Sequence, residues 1–404
     1  MRIRFSLVAL AISLAVPGAL GAQDSAPLSR ADAIRAALER GPRLGVARAD
    51  TAVAAAQLRT ARAYQNPVLS LTYSKAVPQY HFIAELPLDA PWLRSSRIGS
   101  AEAGRSSAQY RFAYSRAAIA LEADTTYTRV LAAMARARLS RQSAEAADSL
   151  RGMAAQRRNA GDASDLDVEL AAVNAGQQAN AAAADSLALW QNLLDLQVAI
   201  GLTADRIVVT PSDSLFLPSE DSTMSAGTPL VVAAAEAALV SADLAARFQH
   251  QSALPVPAIT FGFERGDPTG AEPGVLPTFG VAIPIPLLNR NGGAIAQAEA
   301  ERDRAQAELE ATRLESAARI AGTRRVRQVA LARVERDARL VESANRVAAM
   351  SLRAYREGAV SLPSVLEAQR NAREILTQYV EDLASAWNAA AALRVYTMST
   401  VQPR

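Results

Sequence analysis

Apolar positions along the chain change period several times, and those changes divide it. In "PVLSLTYS" (67–74), Leu69, Leu71 and Tyr73 alternate with Ser70, Thr72 and Ser74. "YHFIAELP" (80–87) sets Tyr80, Phe82, Ala84 and Leu86 against His81, Ile83 and Glu85. "PAITFGFER" (257–265) sets Ile259, Phe261 and Phe263 against Thr260, Gly262 and Glu264. "PTFGVAIP" (277–284) sets Phe279, Val281 and Ile283 against Thr278, Gly280 and Ala282. Successive side chains of a strand point to opposite faces. The spacing therefore predicts four strands, each with one apolar face and one small or polar face.

Elsewhere the pattern is helical. Shorter helices are expected at about 29–63 and 229–252, and very long ones at about 95–158 and 293–357. A second long helix follows each, at about 164–200 and 361–398. Breaks fall at Asn159-Ala160-Gly161 and at Glu357-Gly358. At 1.5 Å per residue, a helix of some sixty residues runs roughly 95 Å, longer than a globular domain is wide. In "AEAERDRAQAELEATRLESAARI", Ile295, Ala298, Ala305 and Leu309 keep near-heptad spacing, interrupted at Arg302. That spacing suits a narrow coiled-coil seam.

The two halves are copies of one unit. A shift of 197 positions superposes Pro87 on Pro284, Ile98 on Ile295, Glu102 on Glu299, Gly161 on Gly358, Asn174 on Asn371 and Trp190 on Trp387. With only 3 tryptophans in the chain, two of them coinciding without a gap points to duplication. The reading is a signal peptide at 1–22, a first repeat at 23–200, a turn-rich equatorial connector at 201–228 and a second repeat at 229–404. Barrel strands fall at about 67–87 and 257–286.

Composition narrows the class. Half the residues are hydrophobic but only 5% are aromatic, and alanine supplies much of the apolar count. Small, strongly helix-forming side chains favour closely spaced helices over a thick core. The chain has 0 cysteines, which excludes disulfides, thiolate metal sites, thiol nucleophiles and lipid attachment at cysteine. Basic and acidic residues nearly cancel, 43 against 40, and Lys75 is the only lysine. No basic cluster with interleaved aromatics points to nucleic acid. Met1-Arg-Ile-Arg4, the apolar Phe5 to Val16 and the small residues Ala19-Leu-Gly-Ala22 read as a secretory signal. No later apolar run reaches the ~20 residues of a membrane helix. Membrane entry would have to be by strands.

The helices alone would suit a soluble coiled-coil scaffold equally well. The strands favour a membrane. Hydrocarbon accepts strands only in a closed barrel, because an open edge leaves backbone groups unpaired. Four strands cannot close one, so several chains would each contribute four, apolar faces toward lipid and polar faces toward a water-filled lumen. An ordinary soluble sheet packed on helices is the alternative. On the first reading, "VAIPIPLLNRNGGAIAQAEAE" (281–301) joins a strand leaving the membrane to a helix continuing the same conduit.

The stretch 278–301, "YREGAVSLPSVLEAQRN" (355–371) and the tandem duplication resemble the TolC-type outer membrane efflux protein family over essentially the whole mature chain. The wording of 281–301 further resembles the branch serving heavy-metal cation efflux. The resemblance implies a mainly α fold with a membrane β part: a duplicated long-helix coiled-coil tunnel in the periplasm, and four strands per chain in a trimeric twelve-stranded barrel in the outer membrane of a Gram-negative-type cell. It implies a passive conduit working with a periplasmic adaptor and an inner-membrane pump, of RND type, that exports metal cations or small toxic compounds. Many members carry a lipid on an N-terminal cysteine; this chain has none, so its anchoring would rest on the barrel.

No catalytic constellation, cofactor motif or metal-ligand spacing stands out, and His81 and His250 are far apart. The expectation is a channel without enzyme activity, cofactor or metal site. In the family, the tip around the second glycine break closes the channel with acids facing the pore. Aligned on Tyr355 and Gly358, Ser364 and Glu367 fall on those positions. Ser364 replaces an acid, and the 197 shift places Asp167 opposite it. Glu367, Asp167 and Ser364 are therefore expected at a periplasmic gate, where a ring of carboxylates favours cations. Gly161, Gly358, Asp162 and Asp165 are expected at tip turns that meet an adaptor, Asp162 and Asp165 being equally suited to capping the following helix. The competing functional class is a periplasmic coiled-coil adaptor or scaffold without a pore.

Overall fold

The computed structural model describes residues 26–202, 206–218, 227–267, 269 and 274–400. The expected signal segment at 1–22 and part of the connector lie outside them. In chain order the elements are β1 (Ala26–Leu28), α1 (Arg30–Arg40), α2 (Pro42–Arg62), β2 (Val68–Tyr73), β3 (Tyr80–Pro87), α3 (Pro91–Asn159), α4 (Asp165–Ala199), β4 (Val209–Pro211), α5 (Leu230–Ser252), β5 (Ala258–Arg265), β6 (Val275–Ala282), α6 (Gly292–Arg356) and α7 (Leu362–Tyr396). The helix expected at 29–63 is two helices, parted at Gly41-Pro42 where proline opens α2. The last strand lies two residues earlier than the alternation suggested, so Ile283 falls beyond it. No described helix is long and apolar enough to cross a membrane.

α3 has 69 residues and α6 has 65, each about 100 Å long. Each serves two layers. Above, beside the sheet, α2 packs on α3, α3 on α5 and α5 on α6. Below, α4 packs on α3, α3 on α7 and α7 on α6. Both levels are single layers four helices wide, ordered α2-α3-α5-α6 and α4-α3-α7-α6. The seam seen in the sequence is one of the contact stripes: Ala298 and Leu309 are buried, and Arg302 is half-buried between them.

The sheet repeats that order as β2-β3-β5-β6, antiparallel throughout. Its register aligns Leu71, Phe82, Phe263 and Pro277 in one row, and Leu69, Ala84, Phe261 and Phe279 in another. The Phe82 and Phe263 rings stack at 4.6 Å. On the other face, Ser70, Ile83, Gly262 and Thr278 form a row, beside Thr72, His81, Glu264 and Leu276. The apolar face is uncovered within the protomer, to the extent that Phe279 is 81% exposed.

A clasp at the junction between layers went unread in the sequence. β1 pairs in parallel with β4, bringing residues 26–28 against the connector. Under them Tyr127, Val130, Leu196 and Ile200 form a buried core cluster. The Tyr127 hydroxyl donates to Leu28 O at 2.8 Å and to the Asp213 carboxylate at 2.9 Å. Burial and then the Asp213 carboxylate push that hydroxyl up to about 12, so it stays a donor. Arg30 pairs with the buried Asp124, donates to Thr128 Oγ1 and lies 4.2 Å from the Trp387 ring centroid. Arg394 of α7 reaches Asp124 from the other side at 3.5 Å. One buried carboxylate thus joins α1, α3 and α7.

Removing one member of a buried ion pair strands the other charge, at about 3–5 kcal/mol. Asp124→Ala should therefore lower the thermal unfolding midpoint clearly. Asp148→Ala on the same helix, where the Arg151 pair is exposed, should change it little. Equal midpoints for the two variants would show that the clasp does not hold the layers together.

Candidate functional site

Both long hairpins turn in the same way. α3 ends before Gly161 (φ +84°) and α6 before Gly358 (φ +79°), a left-handed backbone that glycine adopts without penalty. The Gly161 N–H donates to Arg158 O and the Asp162 N–H to Arg157 O; the Gly358 N–H donates to Tyr355 O and the Ala359 N–H to Ala354 O. This pair of bonds satisfies the last carbonyls of each helix. The glycines sit 197 positions apart, and the helices that follow, Asp165–Ala199 and Leu362–Tyr396, are 35 residues each and superpose under that shift.

The two returning helices begin differently. Ser164 caps α4: its Oγ accepts from the Asp167 N–H at 3.2 Å, and the Asp167 carboxylate accepts from the Ser164 N–H at 3.1 Å. That reciprocal pair is a capping box. In the second hairpin Ser361 and Ser364 occupy the same places. Their hydroxyls lie 3.1 Å apart, and no side chain caps α7. The acid missing at 364 is thus, in the first hairpin, a capping acid. Asp162 and Asp165 do not cap. Asp165 pairs with Arg158 at 2.8 Å, and the Asp162 carbonyl accepts from Arg157. Glu367 is exposed on α7, 3.6 Å from Arg370. The structure therefore places Glu367, Asp167 and Ser364 in the first turns after the glycine breaks, with only Asp167 engaged by the backbone.

The side chain that unites the tips was not among those singled out. Arg157, in the last turn of α3, donates to Tyr355 O of α6 at 2.7 Å and to Asp162 O at 3.2 Å. Its guanidinium lies 4.8 Å from the Tyr355 ring centroid. Tyr355, Leu150, Ala154, Ala171, Leu362 and Val365 make a small core shared by the four helices. The Tyr355 hydroxyl is buried without a hydrogen-bond partner. Burial pushes its pKa up, Arg157 opposes that and Asp167 adds to it. Further along, Arg373 of α7 donates to Gln178 of α4. Toward the tips, Arg157–Tyr355 and Arg373–Gln178 thus add to the α3–α7 ion pair Asp124–Arg394 in holding one hairpin to the other. The signal for Arg157 was its place in a last helical turn, where cations complement the carbonyl end of the helix dipole.

The histidines lie elsewhere. His81 Nδ1 is 3.1 Å from Glu264 across β3 and β5, on the less apolar face, and His250 Nε2 is 2.8 Å from Glu299 between α5 and α6. Among the described residues no three His, Asp or Glu side chains gather as a metal-binding group.

Comparison with known proteins places this geometry. The sequence model of the outer membrane efflux protein family matches residues 230–397, which span α5 to α7. No curated protein matches the chain by sequence. Among solved structures, the outer membrane protein VceC of Vibrio cholerae is 17% identical with a TM-score of 0.80, covering 92% of this chain and 96% of its own. The CmeC outer membrane channel of Campylobacter jejuni is 14% identical with a TM-score of 0.77, covering 91% of this chain and 85% of its own. CusC, described as forming a transmembrane channel, is 16% identical with a TM-score of 0.77, covering 92% of both chains. The part of the chain from α5 to α7 thus matches the outer membrane efflux protein family, and the fold of nine-tenths of the chain is that of the outer membrane channels VceC and CmeC.

Proposed function

We infer that three copies of this chain close into one conduit across the outer membrane and periplasm, through which substrates leave the cell. The observation that carries this reading is that the protomer has the same two open sides at every level. β2, α2 and α4 bound one side; β6 and α6 bound the other. The sides differ, so copies join head to tail, and a head-to-tail contact makes a ring when its rotation closes. Four strands from each of three chains give twelve. Their uncovered apolar face suits lipid, and the face carrying His81, Glu85 and Glu264 suits a water-filled lumen.

The helical part would then stand in the periplasm, reached by way of the signal at 1–22, with each chain made of the repeats 23–200 and 229–404 joined through the 201–228 connector. The chain would act as a passive channel and not as an enzyme. The tip turns at Gly161 and Gly358, with Asp162 and Asp165, would meet a periplasmic adaptor, and an RND-type inner-membrane pump would supply the cargo. Metal cations fit the sequence resemblance in 281–301, and small toxic compounds fit the same tube. The adaptor or scaffold reading is less favoured, because it leaves the apolar face of the sheet without a role.

At the gate, Glu367 from three chains would form the carboxylate ring, with Asp167 nearby and Ser364 supplying no charge. Arg157 would keep the hairpins together. Purified protein in planar bilayers should conduct cations in preference to anions. Glu367→Ala should raise single-channel conductance or lower cation preference, and Arg157→Ala, which unties α3 from α6, should raise conductance. Wild-type levels in both variants would remove the gate assignment. Inserted protein that passes no current would overturn the channel reading.

A further inference from the structure

We propose that α4 docks along α6 of the next copy in one defined register, with Trp190 as its anchor at the equator. This rests on the trimeric reading above and adds the contact that builds it. The argument starts from the duplication. α4 and α7 are the same helix in two copies of one unit, yet α7 packs along its length between α6 and α3, while α4 packs along α3 alone and meets α7 only toward the tip. What covers α7 on the side away from α6 shows what α4 lacks. Val395 is 8% exposed, and its counterpart Val198 is 68% exposed. Trp387 donates its Nε1–H to Phe216 O, meets the Phe216 ring edge-on at 5.5 Å and carries Arg30 over its face. Its counterpart Trp190 is 45% exposed, with no hydrogen bond or ring contact among the described residues.

The α3–α7 contact also supplies the register. It is fixed by Arg136 against Glu381 and by Asp124 against Arg394. Carried over by 197 positions, it places Trp190 of one copy level with Arg327 and Gln328 of the next, between the exposed Val326 and Val329. Leu170 comes level with Val347, and Leu166 with Ser351, next to Met350; Leu170, Val347, Leu166 and Met350 are all exposed in the protomer. The apolar residues that α6 leaves uncovered thus fall opposite those that α4 leaves uncovered.

Charge agrees. α4 carries five acidic side chains and no basic one, whereas α6 carries thirteen arginines against nine acids. The interior helix α7 is close to balanced. Two edge helices of opposite sign favour each other and disfavour α4–α4 or α6–α6 pairing.

The natural chain has no cysteine, so paired cysteines report the register directly. Under mild oxidation, Leu170→Cys combined with Val347→Cys should give covalent dimers and trimers. Leu170→Cys with Leu340→Cys, two helical turns or about 10 Å away, should stay largely unlinked. Trp190→Ala should keep wild-type helicity but dissociate to monomers at a lower temperature in detergent. If the Leu340 pair links instead, the register is overturned. If neither pair links in a protein that sediments as a trimer, the α4–α6 contact is overturned while the trimer stands. If Trp190→Ala dissociates like wild type, the anchor is overturned. A protein that sediments as a monomer overturns the parent reading.

Discussion

An unpaired backbone N–H or C=O in hydrocarbon costs several kcal/mol, and β2 and β6 each present a whole row of them. An apolar sheet face suits lipid, and in lipid the open edges would need a partner. On the trimeric proposal, pairing β6 of one copy with β2 of another would meet both demands. The rest of the molecule follows the sheet. Because β3 runs into α3 and β6 leads into α6, the order of strands becomes the order of helices, and a sheet closed between copies would impose a closed tube.

The same constraint accounts for how burial is distributed. α3 and α7 are interior helices and hold most of the buried positions, down to single alanines and serines that permit close approach. α4 and α6 are edge helices and stay largely exposed, α6 with 5 buried positions along 65 residues. Between barrel and tube, the Asp124 clasp binds the chain's first helix to both repeats, so the two layers meet at a buried charge held from two sides.

Much of this was legible in the sequence, for physical reasons. Alternation gave the strand faces because a pleat has period two, and Leu71, Phe82, Phe263 and Pro277 fall in one row. The 197-residue repeat gave the hairpins, and glycine gave their turns because few other residues accept a positive φ. The clasp was not legible. It joins Arg30, Asp124, Asp213 and Trp387, residues far apart in sequence, through a three-residue parallel pair too short to leave a pattern. Nor were the roles of the tip acids. Ser164 and Asp167 form a capping box, a local bond that spacing permits but does not compel, and Arg157 gains its role from the neighbouring hairpin's Tyr355.

The most direct test of the account is the mass of the detergent-solubilised protein by sedimentation, before and after heating. The account predicts a particle of three chains that withstands mild detergent and falls to single chains only when heated. A single-chain particle that stays in solution without detergent would contradict it, since a lone protomer would then tolerate in water both its open strand edges and its uncovered apolar sheet face.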